Sequence, residues 1–178
     1  HFTDLDSDGD QDIIMSGWNK IQGRLITWIL QNEPLGTYSL FPGQIDFAVA
    51  YGNIDAIDYN LDGFKDFVIS GADSVTQHAG NVHSLSGRVY LNNGNGTFSL
   101  IKEISGARVA RFVDIDQNMI PDLVVSGTTE IGNDSSTFSH VYLNDLEGPT
   151  EGPNSPTALT AFAVSTRAIF TWGAGEDD

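Results

Sequence analysis

Five aspartates stand within the nine residues from Asp4 to Asp12, in the stretch DLDSDGDQDIIMSG. Carboxylates crowded this closely repel one another, and a bound cation relieves the repulsion. The stretch returns as DYNLDGFKDFVISG at 58–71 and as DIDQNMIPDLVVSG at 114–127. With the first aspartate as position 1, oxygen-bearing side chains fall at positions 1, 3, 5 and 9 of every copy. They are Asp4, Asp6, Asp8 and Asp12, then Asp58, Asn60, Asp62 and Asp66, then Asp114, Asp116, Asn118 and Asp122. In a tight loop this spacing turns alternate side chains inward. The carbonyl at position 7, belonging to Asp10, Phe64 or Ile120, adds another oxygen. Calcium takes about six to eight oxygens in adaptable geometry, whereas magnesium demands a near-ideal octahedron and keeps waters. The chemistry these residues fit is capture of up to three Ca2+ ions.

Position 6 is glycine in two copies, Gly9 and Gly63, which permits a left-handed backbone there. The third copy has Met119, at a strain of about 1–2 kcal/mol, and this sets its loop apart. An EF-hand begins with the same pattern but needs a bidentate Glu at position 12 and flanking helices. Position 12 here is Met15, Ile69 or Val125, inside apolar runs, so the EF-hand reading fails. A single acidic loop is also compatible with a solvated turn, and repetition in register favours the metal. Ten of the 24 acidic residues are candidate ligands, and three dications would bring the net charge from −16 to −10. The side chains of Asp10 and Asp55 read as supporting or solvent-facing groups.

The elements that must hold these loops are strands. Each loop runs into three apolar residues, IIM, FVI or LVV, then Ser-Gly. Short apolar runs bounded by turn signals suit strands buried on both faces. RLITWILQ, GRVYLN and SHVYLN are rich in β-branched and aromatic residues, and NNGNGT is hairpin-turn chemistry. A second segment repeats in phase: LQNEPLGTYSL at 30–40 matches YLNNGNGTFSL at 90–100, and HVYLNDLEG at 140–148 begins alike and then departs. The loops start at Asp4, Asp58 and Asp114, a period of 54 and then 56 residues, which fits one four-stranded propeller blade. No stretch shows a convincing amphipathic helix. The expected fold is all-β: a partial β-propeller of about three four-stranded blades.

Composition bounds the function. The chain has 178 residues, 40% of them hydrophobic, so a real core can form. The charge of −16 argues against nucleic acid and anionic membranes as partners. There is no cysteine to form disulfides, and no apolar run approaches the ~18 residues of a membrane span. The chain starts at His1, directly before a motif, and reads as part of something longer.

The pattern Asp-x-Asp/Asn-x-Asp/Asn-Gly-x-x-Asp, then an apolar strand ending in Gly, then RVYLNNGNGTF, resembles the FG-GAP/VCBS repeat family. Integrin α-subunit propellers use similar calcium loops. The resemblance spans about residues 1–145, and the third copy departs from it at Met119 and lacks the terminal GxGTF. It implies a β-propeller, usually of seven blades, with calcium in the loops of one rim. It also implies a secreted or cell-surface location and a role in adhesion or carbohydrate recognition. A closed propeller has about four to eight blades, so three leave apolar faces open at both ends, and further blades are expected upstream of His1.

Residues 146–157, LEGPTEGPNSPT, are linker chemistry, with Pro149, Pro153 and Pro156 between glycines. The segment 158–178 alternates apolar and polar residues around a short turn. It resembles the first strands of a fibronectin type III-like β-sandwich, with Trp172 where that fold buries a tryptophan. An irregular tail packed on the last blade is the alternative.

Support for an enzyme is thin. There is no G-x-S-x-G elbow, and His78 and His83 lack zinc-protease spacing. His140 aligns with Arg88 at a surface strand position, and Tyr90 and Tyr142 repeat, as packing residues do. Trp18 and Trp28 do not repeat, and packing explains them better than a sugar-binding surface. Asn95-Gly-Thr and Asn133-Asp-Ser match the glycosylation sequon, the first of them within turn chemistry. The preferred reading is a non-enzymatic extracellular module in which calcium is structural and the assembled surface binds a protein or polysaccharide. The alternative is part of a polysaccharide-degrading, lyase-like enzyme. That chemistry would need a non-repeating cluster of Lys, Arg, His or Tyr facing the central channel.

Overall fold

The computed structural model describes residues 1–33, 36–75, 82–131, 134–146, 157–164 and 167–173, the last two stretches as backbone. Every regular element among them is a strand. The chain divides into two units, His1–Leu146 and Glu147–Asp178.

The first unit holds three antiparallel sheets in chain order. The first is β1 (Phe2–Thr3), β2 (Asp12–Asn19), β3 (Arg24–Glu33) and β4 (Thr37–Leu40). The second is β5 (Ala50–Ile57), β6 (Asp66–Val75), β7 (Val82–Asn92) and β8 (Phe98–Ser105). The third is β9 (Ala107–Val113), β10 (Asp122–Ile131) and β11 (Asp134–Tyr142). Each is a meander in which sequence neighbours pair, and each acidic loop joins a sheet's first strand to its second.

The apolar runs pack these sheets face to face. Successive strand residues point to opposite faces, so Phe67 and Ile69 enter one core while Val68, between them, enters another. All three are 0% exposed. The first core joins Phe67, Ile69 and Tyr90 to Leu5, Ile14 and Ile29 of the first sheet and its loop. The second joins Val68 and Val89 to Ala110, Leu123 and Val125 of the third sheet. Each such side chain contributes about 1.5–3 kcal/mol by leaving water. Polar ties cross the same gaps. Ser16 Oγ donates to the Val49 carbonyl at 2.9 Å, and Asn53 Nδ2 donates to the Ala110 carbonyl at 2.7 Å.

Two expectations need correction. Burial on both faces holds for the FVI run only. Met15 is 39% exposed, and Val124 is half-buried, because the first and third sheets are each covered on one face. The third sheet also has three strands, not four, among the described residues. The turns that precede β4 and β8 read LGTYSL and NGTFSL, whereas the third copy runs into DLEGPTEGP, whose prolines have no N–H for a ladder.

In the second unit, β12 (Thr157–Val164) and β13 (Arg167–Gly173) form an antiparallel hairpin with Ala161 opposite Phe170. The expected sandwich and the role of Trp172 lie outside what the described residues show.

Candidate metal centres

The three acidic loops share one backbone design. Position 4 is left-handed in each, at Ser7 (φ 62°), Leu61 (φ 61°) and Gln117 (φ 64°). Position 6 is left-handed as well, at Gly9 (φ 94°), Gly63 (φ 93°) and Met119 (φ 67°). The methionine therefore takes the conformation that glycine takes elsewhere, and the third loop keeps the shape of the other two.

Short side chains wrap the loop around itself. The position-1 aspartate accepts the position-6 N–H: Gly9 to Asp4 Oδ2 at 3.1 Å, Gly63 to Asp58 Oδ2 at 2.9 Å, Met119 to Asp114 Oδ2 at 2.9 Å. The position-5 side chain accepts the position-7 N–H: Asp10 to Asp8 Oδ1, Phe64 to Asp62 Oδ1 and Ile120 to Asn118 Oδ1, all at 2.8–2.9 Å. With the loop wrapped in this way, carboxylates converge at positions 1, 3 and 5 of the first copy and at positions 1, 3 and 9 of the third. Carboxylate oxygens of Asp4, Asp6 and Asp8 lie within 4.8 Å of one another, as do those of Asp114, Asp116 and Asp122. In the second loop Asn60 replaces the position-3 carboxylate and donates from Nδ2 to Asp62 Oδ2 at 2.9 Å. Asp58, Asp62 and Asp66 form no such triad of carboxylates.

The position-9 aspartate does work that its spacing did not reveal. Asp12, Asp66 and Asp122 are each 0% exposed. One oxygen accepts the N–H of position 2: Leu5 to Asp12 at 2.8 Å, Tyr59 to Asp66 at 2.8 Å, Ile115 to Asp122 at 2.9 Å. The other accepts a backbone N–H from the end of the sheet's third strand: Asn32 at 2.8 Å, Asn92 at 2.8 Å and Asn144 at 2.9 Å. Each of these aspartates clamps its loop to its sheet. A carboxylate oxygen has a second lone pair, so the clamp does not bar it from a metal.

The electrostatics of the loops are unfavourable as they stand. Burial pushes the Asp6 carboxyl above its ordinary value, and the neighbouring Asp12 and Asp8 charges push it further. Burial also pushes Asp66 up, against the three backbone N–H groups that lower it. Asp4 Oδ1 is buried with no hydrogen-bond partner. An orphaned carboxylate oxygen beside two more carboxylates suits an oxygen-seeking dication and little else.

Elsewhere the first unit has a cavity of about 490 Å³, lined in part by His1, Tyr51, Asn53 and Arg111. A bulge in β5 puts Tyr51 at φ 52°, 69% exposed. Arg111 Nη1 is 3.4 Å from Asp55 Oδ1, so Asp55 is an ion-pair partner, and its Oδ2 also accepts the Phe112 N–H at 2.9 Å. His140 is exposed and stands beside Phe138 and Tyr142 on β11. Asn95 Oδ1 accepts from the Thr97 N–H and hydroxyl, as a turn residue does. The side chains of His78, His83 and Asn133 fall outside the described residues. Scanned against protein-family models the chain matches none, and no curated protein matches it.

Proposed function

We propose that the first unit is a calcium-stabilised segment of a β-propeller, its three sheets serving as successive blades of FG-GAP/VCBS type. In this reading it belongs to an extracellular module that binds a protein or polysaccharide, and calcium is structural rather than catalytic. The observation that carries the calcium reading is the buried, unpartnered Asp4 Oδ1 within the Asp4–Asp6–Asp8 triad. The regular face-to-face packing of consecutive meanders supports the blade reading. Asp4, Asp6, Asp8 and the Asp10 carbonyl would hold the first ion, backed by Asp12. Asp114, Asp116, Asn118 and the Ile120 carbonyl would hold an equivalent one, backed by Asp122. Asp58, Asn60, Asp62, the Phe64 carbonyl and Asp66 offer a further set, with three aspartates and one asparagine as in the third loop. Thermal melting of metal-free protein with and without calcium tests the proposal. Calcium at about 100 times its Kd adds about 2.7 kcal/mol, and Asp4→Ala should lose part of that gain. Equal melting with and without calcium would refute it.

A second reading, a lyase-like site for acidic polysaccharide, is favoured only by His1, Tyr51 and Arg111 around one cavity. Release of unsaturated products from pectic polysaccharide, lost in Arg111→Ala, would support it over the binding module.

A further inference from the structure

Each acidic loop sets one amide against one carboxylate, and the first loop does so by a different route. In the second loop Asn60 Nδ2, at position 3, donates to Asp62 Oδ2 at 2.9 Å. In the third, Asn118 Nδ2, at position 5, donates to Asp116 Oδ2 at 3.3 Å. The first loop has aspartate at both places, Asp6 and Asp8, and two ionised carboxylates have no donor between them. Its amide comes from outside the loop. Gln31 Nε2, on β3, donates to Asp6 Oδ2 at 2.5 Å. A hydrogen bond to an ionised oxygen is stronger than one between neutral groups.

Strand register explains how Gln31 reaches the loop. The ladder between β2 and β3 ends at the pair Ile13–Leu30, and β3 runs on to Glu33, past the end of the loop. Its other side is held by β4, with Gln31 opposite Ser39. The matching ladders end at Phe67–Tyr90 in the second sheet and at Leu123–Tyr142 in the third. The residue after the last pair is therefore Leu91 in one and Leu143 in the other, and a leucine side chain has no donor. The glutamine stands in the sheet whose loop lacks an amide of its own. With the amide moved out of the loop, position 5 is free to be a carboxylate, and Asp4, Asp6 and Asp8 come together at positions 1, 3 and 5. Asp6 Oδ1 accepts the Asp8 N–H at 3.3 Å while Oδ2 accepts Gln31. Each oxygen keeps a lone pair for a cation.

We propose that Gln31 is a positioning residue of the first metal centre. It holds Asp6 in place against the repulsion of Asp4 and Asp8, and so keeps three carboxylates turned toward one ion. The inference rests on the calcium reading of the loops, and it gives one centre a support that the other two lack. Gln31 acts through Asp6. Groups that hydrogen-bond a metal's ligands orient them, and losing such a group costs about tenfold to a hundredfold in metal affinity.

The test is calorimetric titration of the metal-free full chain with calcium chloride, wild type against Gln31→Leu. Leucine is what the other two sheets carry at this place, so the strand accommodates it. One binding equivalent should weaken by about tenfold or more, and the others should keep their Kd. If Gln31→Leu fails to fold by circular dichroism, Gln31→Met, unbranched and without a donor, replaces it. A double-mutant cycle separates positioning from plain strand stability. Asp8→Asn places an amide at position 5, where the third loop has Asn118, and that amide can donate to Asp6 from within the loop. Gln31→Leu should therefore cost less affinity in the Asp8→Asn background than in wild type. A wild type that takes up calcium while Gln31→Leu keeps every Kd overturns this inference and leaves the calcium reading standing. An equal cost in both backgrounds overturns it as well. A wild type that takes up no calcium overturns both.

Discussion

Asn92 and Leu5, 87 residues apart, are joined by a 2.7 Å hydrogen bond that ties the second sheet to the first acidic loop. Asn92 is 1% exposed and makes two more side-chain bonds, to the Lys65 carbonyl and from the Gly94 N–H. Asn92→Ala leaves those buried groups unpaired and should cost about 1–3 kcal/mol. Asn144→Ala should cost a similar amount. Asn32→Ala removes a buried oxygen that has no partner among the described residues, so it should leave the chain unchanged or slightly more stable. Urea unfolding checks this ranking.

The position-9 clamp predicts a second ranking. Asp66 accepts N–H groups from Tyr59, Asn60 and Asn92 while fully buried. Asp66→Ala orphans all three and should destabilise by about 3 kcal/mol or more, since hydrogen bonds to a charged acceptor are worth about 1.5–3 kcal/mol each. Asp66→Asn keeps one acceptor oxygen and should fall between Ala and wild type. Metal-free denaturant melts separate this loss from any loss of ion binding.

Backbone strain at position 6 gives a third prediction. Met119 holds φ 67°, and Met119→Gly should stabilise the chain by about 1 kcal/mol. Gly9→Ala and Gly63→Ala should destabilise it. Open space surrounds both glycines within 4 Å, so the cost is one of backbone conformation alone. Thermal melts of the three variants read it directly.

These loops show what was legible in the sequence and what was not. Positions 1, 3, 5 and 9 stood out because oxygen chemistry needs particular side chains, and the strands followed because apolar runs need a core. The left-handed residue at position 4 was hidden, since Ser7, Leu61 and Gln117 share no side-chain type. The asparagines at 32, 92 and 144 were visible as a repeat, but Asn92 opens the run NNGNGT, which reads as turn chemistry. Only the fold brings Asn92 to Leu5. The clamp was hidden for a similar reason: its partners are backbone N–H groups, which every residue but proline has. The exposed Met15 departs from burial of the IIM run on both faces but agrees with the expectation that three sheets leave apolar faces open at both ends.

The raised carboxyls set the pH dependence. Asp66 and Asp6 are both pushed above the ordinary 3.8, chiefly by burial. The folded chain therefore holds these protons more tightly than the unfolded chain. Stability from this source is full below about 3.8 and is lost as pH rises through the folded values. In metal-free buffer the melting temperature should fall from mildly acidic to neutral pH, and Asp6→Asn should flatten the slope. Saturating calcium should reverse the trend, because binding a cation releases those protons. Calorimetric scans across pH, with and without calcium, test both signs.

The most direct measurement is calorimetric titration of the metal-free chain with calcium. The two carboxylate triads predict saturable binding of at least two ions per chain, with Kd of about 10⁻³ M or tighter. Asp8→Ala should remove one equivalent and leave the rest. Heats no larger than dilution up to millimolar calcium would contradict the claim that a cation holds these loops.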